Sequence, residues 1–504
     1  MQKQPSNFQS LYEEYQDSRL VLKYETYATW TIPSAFPDNY LQGNKGNMDV
    51  KHDYQSMGAL LVNFLSAKLT GLLFPVNQSF FKINFSDELK AMQEQAGMDI
   101  AAAKSELVKL ENKACQRLFL NASYAQLVQL MRYLIITGNA LIKREDGKLT
   151  IYSPRNFVQL RDNSGNVLDM VLRESVAYGT LPQEIRTVIG RGKQDTEDVT
   201  IYTRIKRILV QNRVNYVVTQ QIDGIGIGEA STYPEKLCPF IPVVWNLVNG
   251  DSYGRGMVED YAGDFAKLSD LSRALTLYEL DSCKVIKAVK PGSTVDIDSI
   301  NDAEVGEYVF ADPTAIAAVE SGEYQKIQQL GVEIQTIFQR LSLAFMYQGN
   351  TRDAERVTAE EIKMNAMEAD KALGGVYSQL AESTHIPLAY ILCSEVDPDF
   401  ILAVIGSEVQ LEVLTGVTAL GRAADVTKLL QAVQELAAII PVLKQVSPRF
   451  DTERIVDQVL QAKGLTLDDL MLTEQQLQEQ QQQMDAQAQM QDPLAGVQAA
   501  GELM

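Results

Sequence analysis

Between Glu323 and Phe345 the apolar residues Ile327, Leu330, Ile334, Ile337, Leu341 and Phe345 fall three or four apart, which lays one stripe along a helix. At 1.5 Å per residue that helix would be roughly 35 Å long. A second helical tract runs from about Val258 to Val285. Between the two lies "IKAVKPGSTVDIDSINDAEVGEYVFADPTAIAAVESG", short strand-like and turn-like pieces rich in Gly, Pro and Asp. This arrangement constrains the chain more than any other feature, because two long helices must bracket a small, turn-rich subdomain.

The second of these helices is expected to stop at Gly349-Asn350, and the next begins with its own local logic. Thr358 followed by Glu361 is a capping box, in which hydroxyl and carboxylate satisfy free backbone N–H groups. Beyond it Ile362, Ala366, Ala369, Leu373, Val376 and Leu380 form a seam, interrupted by Gly374-Gly375, where a bend is expected. His385-Ile386-Pro387 reads as an interruption or restart. The polar stretch between the helices holds Arg352 and Arg356 in a strongly acidic chain. Taken locally, salt bridges to Asp353 and Glu355 are the plainer account of them.

The N-terminal half reads as α+β. Residues from about 8 to 30 carry helical spacing, the apolar "SMGALLVNFLSAKLTGLLFPV" reads as a buried helix stopped by Pro75, and "QSFFKINF" is strand-like. A helical tract with Leu107, Leu110, Leu118 and Leu120 follows, then a helix from Tyr124 to Thr137-Gly138-Asn139. Asp146-Gly147 marks a hairpin, and "FVQLRDNSGNVLDMVLRESVA" and "TIYTRIKRILVQNRVNYVVTQQI" add alternating strand signals, so a helical layer on mainly antiparallel strands is expected. The region after about residue 396 reads as helical, ending in the Gln-rich "TEQQLQEQQQQMDAQAQMQD", a solvated helix or flexible tail.

Several function classes lack material. "GIGIGEA" carries Glu229 where a dinucleotide fingerprint needs glycine, and reads as a glycine-rich turn. Gly192-Lys193 and Gly147-Lys148 are not followed by Ser or Thr, so no phosphate-binding P-loop is present. His52 and His385 form no spaced ligand pattern, and Cys115, Cys238, Cys283 and Cys393 form no CxxC pair, so metal, cofactor and triad chemistry are not expected. Acid pairs such as Glu360-Glu361 and Asp468-Asp469 read as solvated faces. With 45 Lys and Arg against 65 Asp and Glu, the net charge of -20 opposes long-range attraction of nucleic acid or anionic lipid. "MQKQPSNFQSLYEEY" holds no apolar core of signal-peptide length, and nowhere do about 18 apolar residues run together, so a soluble chain without a membrane partner is expected.

The order of segments resembles the portal proteins, or head-to-tail connectors, of short-tailed bacteriophages of podovirus, autographivirus type. The resemblance is carried by "WTIPSAFPDN", "SAKLTGLLFP", "YPEKLCPFIPVVW", "GDSYGRGMVEDYAGDF", "RLSLAFMYQGNTRDAERVTAEEI", "LGGVYSQLAES" and "TGVTALGRAADVTKL", in family order over most of the chain. One departure is Asp353-Ala354, which stands where the family pattern has Thr-Gly.

The resemblance implies a mainly helical α+β portal fold. In it residues 1–257 would be an outer wing, 258–285 and 323–345 stem helices, and 286–322 a clip. Residues 346–357 would be a tunnel loop, 358–395 a bent wing helix, 396–465 a helical crown and 466–504 a tail. It further implies a non-enzymatic dodecameric ring at one capsid vertex, assembled in the host cytoplasm, through which double-stranded DNA is packaged and ejected. Implied partners are the terminase packaging motor, tail adaptor proteins, major capsid and scaffolding proteins and internal core proteins. Tyr347, Gln348, Asn350, Thr351, Arg352 and Arg356 would face the DNA. The physics is compatible, since basic grooves hold a duplex through counterion release whereas a conduit needs a mostly acidic lumen with a few steering cations. A tail adaptor or scaffold protein is the rival structural reading, and an enzyme of nucleotide metabolism the rival from another class.

Overall fold

The computed structural model describes residues 7–36, 52–76, 79–85, 100–190, 194–282, 286–293, 295–304, 307–319, 324–347, 375–401 and 409–413. All of them lie in one compact unit spanning residues 1–419. The chain begins not with one helix but with two, α1 (Phe8–Tyr15) and α2 (Ser18–Trp30). The break follows from local chemistry: the Asp17 carboxylate accepts from the Arg19 N–H and starts α2 afresh, as Asn7 does for α1 through Gln9.

Helix α3 (Met57–Leu73) ends before Pro75 as expected and is followed by strand β1 (Phe81–Phe85) and helices α4 (Ile100–Leu118) and α5 (Ser123–Thr137). Next come the hairpin β2 (Asn139–Glu145) and β3 (Lys148–Tyr152), turned by Asp146 and Gly147 at φ of 50° and 73°. Strand β9 (Phe240–Val244) pairs with the other edge of β2, giving a three-stranded antiparallel sheet in the order β3-β2-β9. Leu61, Leu65 and Leu69 of α3 and Leu127, Leu130 and Leu134 of α5 are fully buried in the main core, which includes Ile142 and Ile241 of this sheet.

A second sheet is a meander of β4 (Phe157–Arg161), β5 (Val167–Ala177), β6 (Asp198–Val210), β7 (Arg213–Ile222) and β8 (Ile225–Pro234), all antiparallel. One side takes Phe8, Leu11 and Tyr12 of α1 against Val158 and Val171. Helix α6 (Gln183–Ile189) contributes Ile185 and Ile189 to a cluster with Val199, Ile222 and Ile227. The glycine-rich "GIGIGEA" is therefore not a turn. The turn is Asp223-Gly224, and Gly226 and Gly228 sit within edge strand β8, where a bulge opposite Val218 and Gln220 absorbs the irregular backbone.

Two expectations for the C-terminal half need correction. Helix α11 (Val376–Val396) begins beside Gly375, at φ 88°, and then runs through Pro387 without interruption. Proline removes one helical hydrogen bond, and the burial of Leu380, Ala381, Leu388 and Leu392 along the same helix outweighs it. The region after residue 396 is not wholly helical either, since β12 (Val409–Val413) pairs antiparallel with β1, Phe81 opposite Val413. Val409, Leu411 and Val413 alternate at period two, which suits a strand once a partner edge exists. The capping box at Thr358, the seam up to Leu373 and the Gln-rich tail lie outside the described residues.

His385 is wholly buried on α11, its ring against Phe74 (4.9 Å between centroids) and Phe80 (4.8 Å). Burial pushes its pKa down to about 3. A pKa lowered by folding makes stability fall as pH drops below the unfolded value of 6.5, because the unfolded chain takes up a proton that the folded chain refuses. Stability should therefore decline by up to about 1.4 kcal/mol per pH unit below 6.5, or about 2 kcal/mol by pH 5. Thermal unfolding followed at pH 7, 6 and 5 should show this slope, and His385→Leu should flatten it.

Candidate functional site

The long helices read from the sequence form an antiparallel pair. The first is broken at Tyr261 into α7 (Met257–Asp260) and α8 (Ala262–Ser282), and the second is α10 (Tyr324–Ala344). Of the apolar stripe on α10, Ile334, Ile337, Leu341 and the following Phe345 are buried, whereas Ile327 and Leu330 are half-exposed. The packed end therefore lies toward residue 345, where the Phe345 ring meets Phe265 edge-on at 5.7 Å. Ion pairs stitch the two helices on their outer side: Lys267 with Glu333, and Arg340 Nη1 with Asp264 Oδ1 at 3.2 Å. The hydrogen bond from Lys267 and its charge hold the Glu333 carboxyl below the usual carboxylate range.

The insertion between these helices is tied at its base by β10 (Ile286–Val289) and β11 (Ile316–Val319), paired antiparallel from Ile286 opposite Val319 to Val289 opposite Ile316. Within it, Asp296 caps the short helix α9 (Ile297–Asn301), and Asp312 accepts from the Thr314 N–H and hydroxyl. Both aspartates begin a turn by holding its first free donors. The result is a small hairpin-closed module carried at one end of the helical pair.

At its other end α10 stops earlier than Gly349-Asn350. Met346 takes a left-handed φ of 54°, the Tyr347 N–H bonds to the Ser342 carbonyl at 2.8 Å, and the Met346 N–H bonds to Leu343. This is a Schellman stop with methionine where glycine is usual. Burial of Phe345 and Met346 fixes the chain there. Tyr347 then sets its ring edge-on against Phe64 at 5.2 Å and tilted against Phe338 at 6.2 Å. Of the six residues expected to face DNA, Tyr347 is thus anchored where α3 meets α10, and Gln348, Asn350, Thr351, Arg352 and Arg356 lie outside the described residues.

Sequence reading missed two constellations that hold these elements in place. Arg144 of β2 has a fully buried side chain and is gripped by Glu395 of α11 through two hydrogen bonds of 2.9 Å, with Arg117 Nε 3.6 Å from the same carboxylate. Asn139 accepts from the Gly254 N–H at 2.7 Å and donates to the Gly254 carbonyl at 2.8 Å, at a crossing where Gly138 meets Gly254 and Gly256. Two of the three glycines of "GDSYGRGM", Gly254 and Gly256, could have flagged the second, since glycine is what a close backbone approach requires.

The family model described as bacteriophage head to tail connecting protein matches residues 3–471. The chain is 38% identical over 487 residues to a portal protein of Pseudomonas phage phiKMV, covering 95% of each. It is 30% identical over 505 residues to the portal protein of Escherichia phage T7, covering 97% of this chain and 92% of that one. A chain from a solved virion of a native gene transfer agent particle aligns over 83% of this chain and 92% of that chain at 10% identity and a TM-score of 0.39, too low to bear on fold or function.

Proposed function

The chain belongs to the bacteriophage head to tail connecting protein family, and from this we infer that it is the portal protein of a tailed phage, a structural component of the virion at the head-tail junction. The observation that carries the reading is identity of 38% spread over 95% of both chains, since partial relatives would share a domain and not the whole order of segments.

The finer reading is a dodecameric ring whose axis passes double-stranded DNA in both directions. Residues 1–257 form the wing, α8 and α10 the stem, and the hairpin-closed module within 286–322 the clip. On the clip the terminase motor docks during packaging and tail adaptor proteins afterwards, while major capsid, scaffolding and internal core proteins meet the ring elsewhere. Support for self-association comes from large apolar side chains that one copy leaves in water: Leu277 and Leu280 on α8, Val332 and Leu343 on α10, the last 82% exposed. Apolar surface on paired helices is stabilised when a neighbouring copy covers it.

The loop that begins at Tyr347 and carries Gln348, Asn350, Thr351, Arg352 and Arg356 faces the duplex in this reading. With the Tyr347 ring held by Phe64 and Phe338, the loop leaves the stem from a fixed point. A few arginines repeated around an axis would centre the duplex without the dense basic contact that would hold it.

Electron microscopy of the purified full chain is expected to show rings with a central hole of about duplex width. Monomers or small dimers alone would sink the portal reading. Rings of R352Q/R356Q should keep their size but package DNA more slowly, and unchanged packaging would remove the loop arginines from the channel.

A further inference from the structure

The meander sheet has two ends of opposite character. From Val199 to Ile222, strands β6 and β7 hold Arg204, Lys206, Arg207 and Arg213 and no acidic residue, and all four fall toward the β6–β7 turn. Strand β5 leaves β6 at Lys206, opposite Asp169, and β8 leaves β7 at Asn215, opposite Pro234. Residues 207–214 therefore run past both neighbouring strands as a two-stranded tip, closed by Gln211 and Asn212 at φ of 50° and 62°. Leu209 on this tip is 68% exposed, and Val210 is exposed too. Arg204 is paired with Asp169 and Arg207 with Glu235, whereas Arg213 makes no ion pair among the described residues.

At the other end of the same strands, α6 packs Ile185 and Ile189 against Val199, Ile222 and Ile227, beside the Asp223-Gly224 turn. Val188 of α6 is 55% exposed, and Ile225 after the turn is exposed as well. Around them stand Glu184, Asp195, Glu197 and Asp223, all exposed. Arg186 lies 3.7 Å from Asp195, and Arg191 and Lys193 lie outside the described residues. One end thus offers two aliphatic side chains and a cation, the other two aliphatic side chains and carboxylates.

Neighbours in a ring meet head to tail, so every copy must carry two different surfaces that match each other. Tip against tip would bring like charges together, and so would one carboxylate end against another. Resting on the reading of the chain as a ring-forming portal, we propose that the β6–β7 tip of one copy docks on the α6 end of the next. Leu209 and Val210 meet Val188 and Ile225, and Arg213 sits over the carboxylates of Glu184 and Glu197. The exposure of these side chains in one copy is what a contact between copies leaves when the copies are apart. Because the tip continues two strands of a five-stranded sheet, it loses little freedom on docking. The contact is distinct from the apolar faces of α8 and α10.

The test is a disulfide that can form only between copies. Within one copy positions 188 and 209 stand at opposite ends of β6, whose 13 residues span roughly 40 Å, whereas a disulfide needs Cα atoms within about 7 Å. Full-chain rings of V188C/L209C, formed under reducing conditions and then treated with diamide, should give a ladder of covalently joined copies on a denaturing gel. The single replacements V188C and L209C should not, and wild-type rings treated alike control for the four native cysteines. L209S/V210S, with an unchanged unfolding midpoint, should raise the concentration for half-assembly about tenfold or more. R213E should raise it a few-fold at low salt and less at high salt. Intact V188C/L209C rings that give no ladder overturn the proposal, as do L209S/V210S rings as resistant to dilution as wild type. In both of these outcomes rings persist and the portal reading stands. Absence of rings from the wild-type chain sinks that reading instead, and this proposal with it.

Discussion

Replacing Glu395 with alanine should destabilise the folded chain by about 3–5 kcal/mol, because it strands a buried cation. The Arg144 side chain is 0% exposed, and its Nε and Nη2 each donate to one oxygen of Glu395 at 2.9 Å. The two residues join the central strand of the three-stranded sheet to α11, so the pair couples the N-terminal half of the chain to the helix that follows the loop. Without the carboxylate, Arg144 must either stay charged in a dry site or pull away and open the junction. Glu395→Gln keeps an acceptor and should cost less than Glu395→Ala. The double replacement R144M/E395L should recover most of the loss, since neither partner then carries an uncompensated charge. Thermal unfolding of the four proteins checks this, and an E395A midpoint equal to wild type would show the pair to be dispensable.

Gly138→Ala is the second severe change. Gly138 caps α5 at φ 76°, where a Cβ is strained by roughly 1–2 kcal/mol. That Cβ would also stand 2.3 Å from the Arg255 carbonyl carbon and 2.5 Å from the Gly256 nitrogen. These are backbone atoms, so no side chain can turn aside, and the overlap adds about 1–3 kcal/mol. The expected total is about 2–5 kcal/mol, read as a lower unfolding midpoint or loss of soluble protein. Gly71→Ala serves as a control, because its Cβ would meet nothing within 4 Å. A Gly138→Ala protein as stable as that control would contradict the close crossing.

These two sites also mark what the sequence makes legible. Local chemistry was readable: Asp146-Gly147 announced the β2–β3 hairpin, Pro75 the end of α3, and alternating residues the meander. What escaped depends on partners far along the chain. Arg144 and Glu395 are 251 residues apart, and no spacing rule connects them. Strand β12 hid in a helix-like stretch because five residues of alternation mean little until β1 offers an edge. Pro387 misled for the opposite reason, since a local helix breaker was overruled by burial around it. Of the candidate channel residues, Tyr347 shows why a loop boundary is hard to read: the stop falls at a buried methionine in left-handed geometry and not at the nearby Gly349.

The pairing of β1 with β12 sets an order on the making of the protein. Phe81 leaves the ribosome long before Val413, so at ordinary synthesis rates β1 waits about half a minute for the strand that completes it. The Ile83 N–H is held by the Glu111 carboxylate, 2.7 Å away on α4, so the edge of β1 away from β12 is covered as soon as α4 is made. Glu111 thus closes one edge of β1 early and for good, while the other edge stays open until β12 arrives. A chain cut before residue 409 would keep β1 open at its edge, and nascent copies crowded on one message would meet through it first.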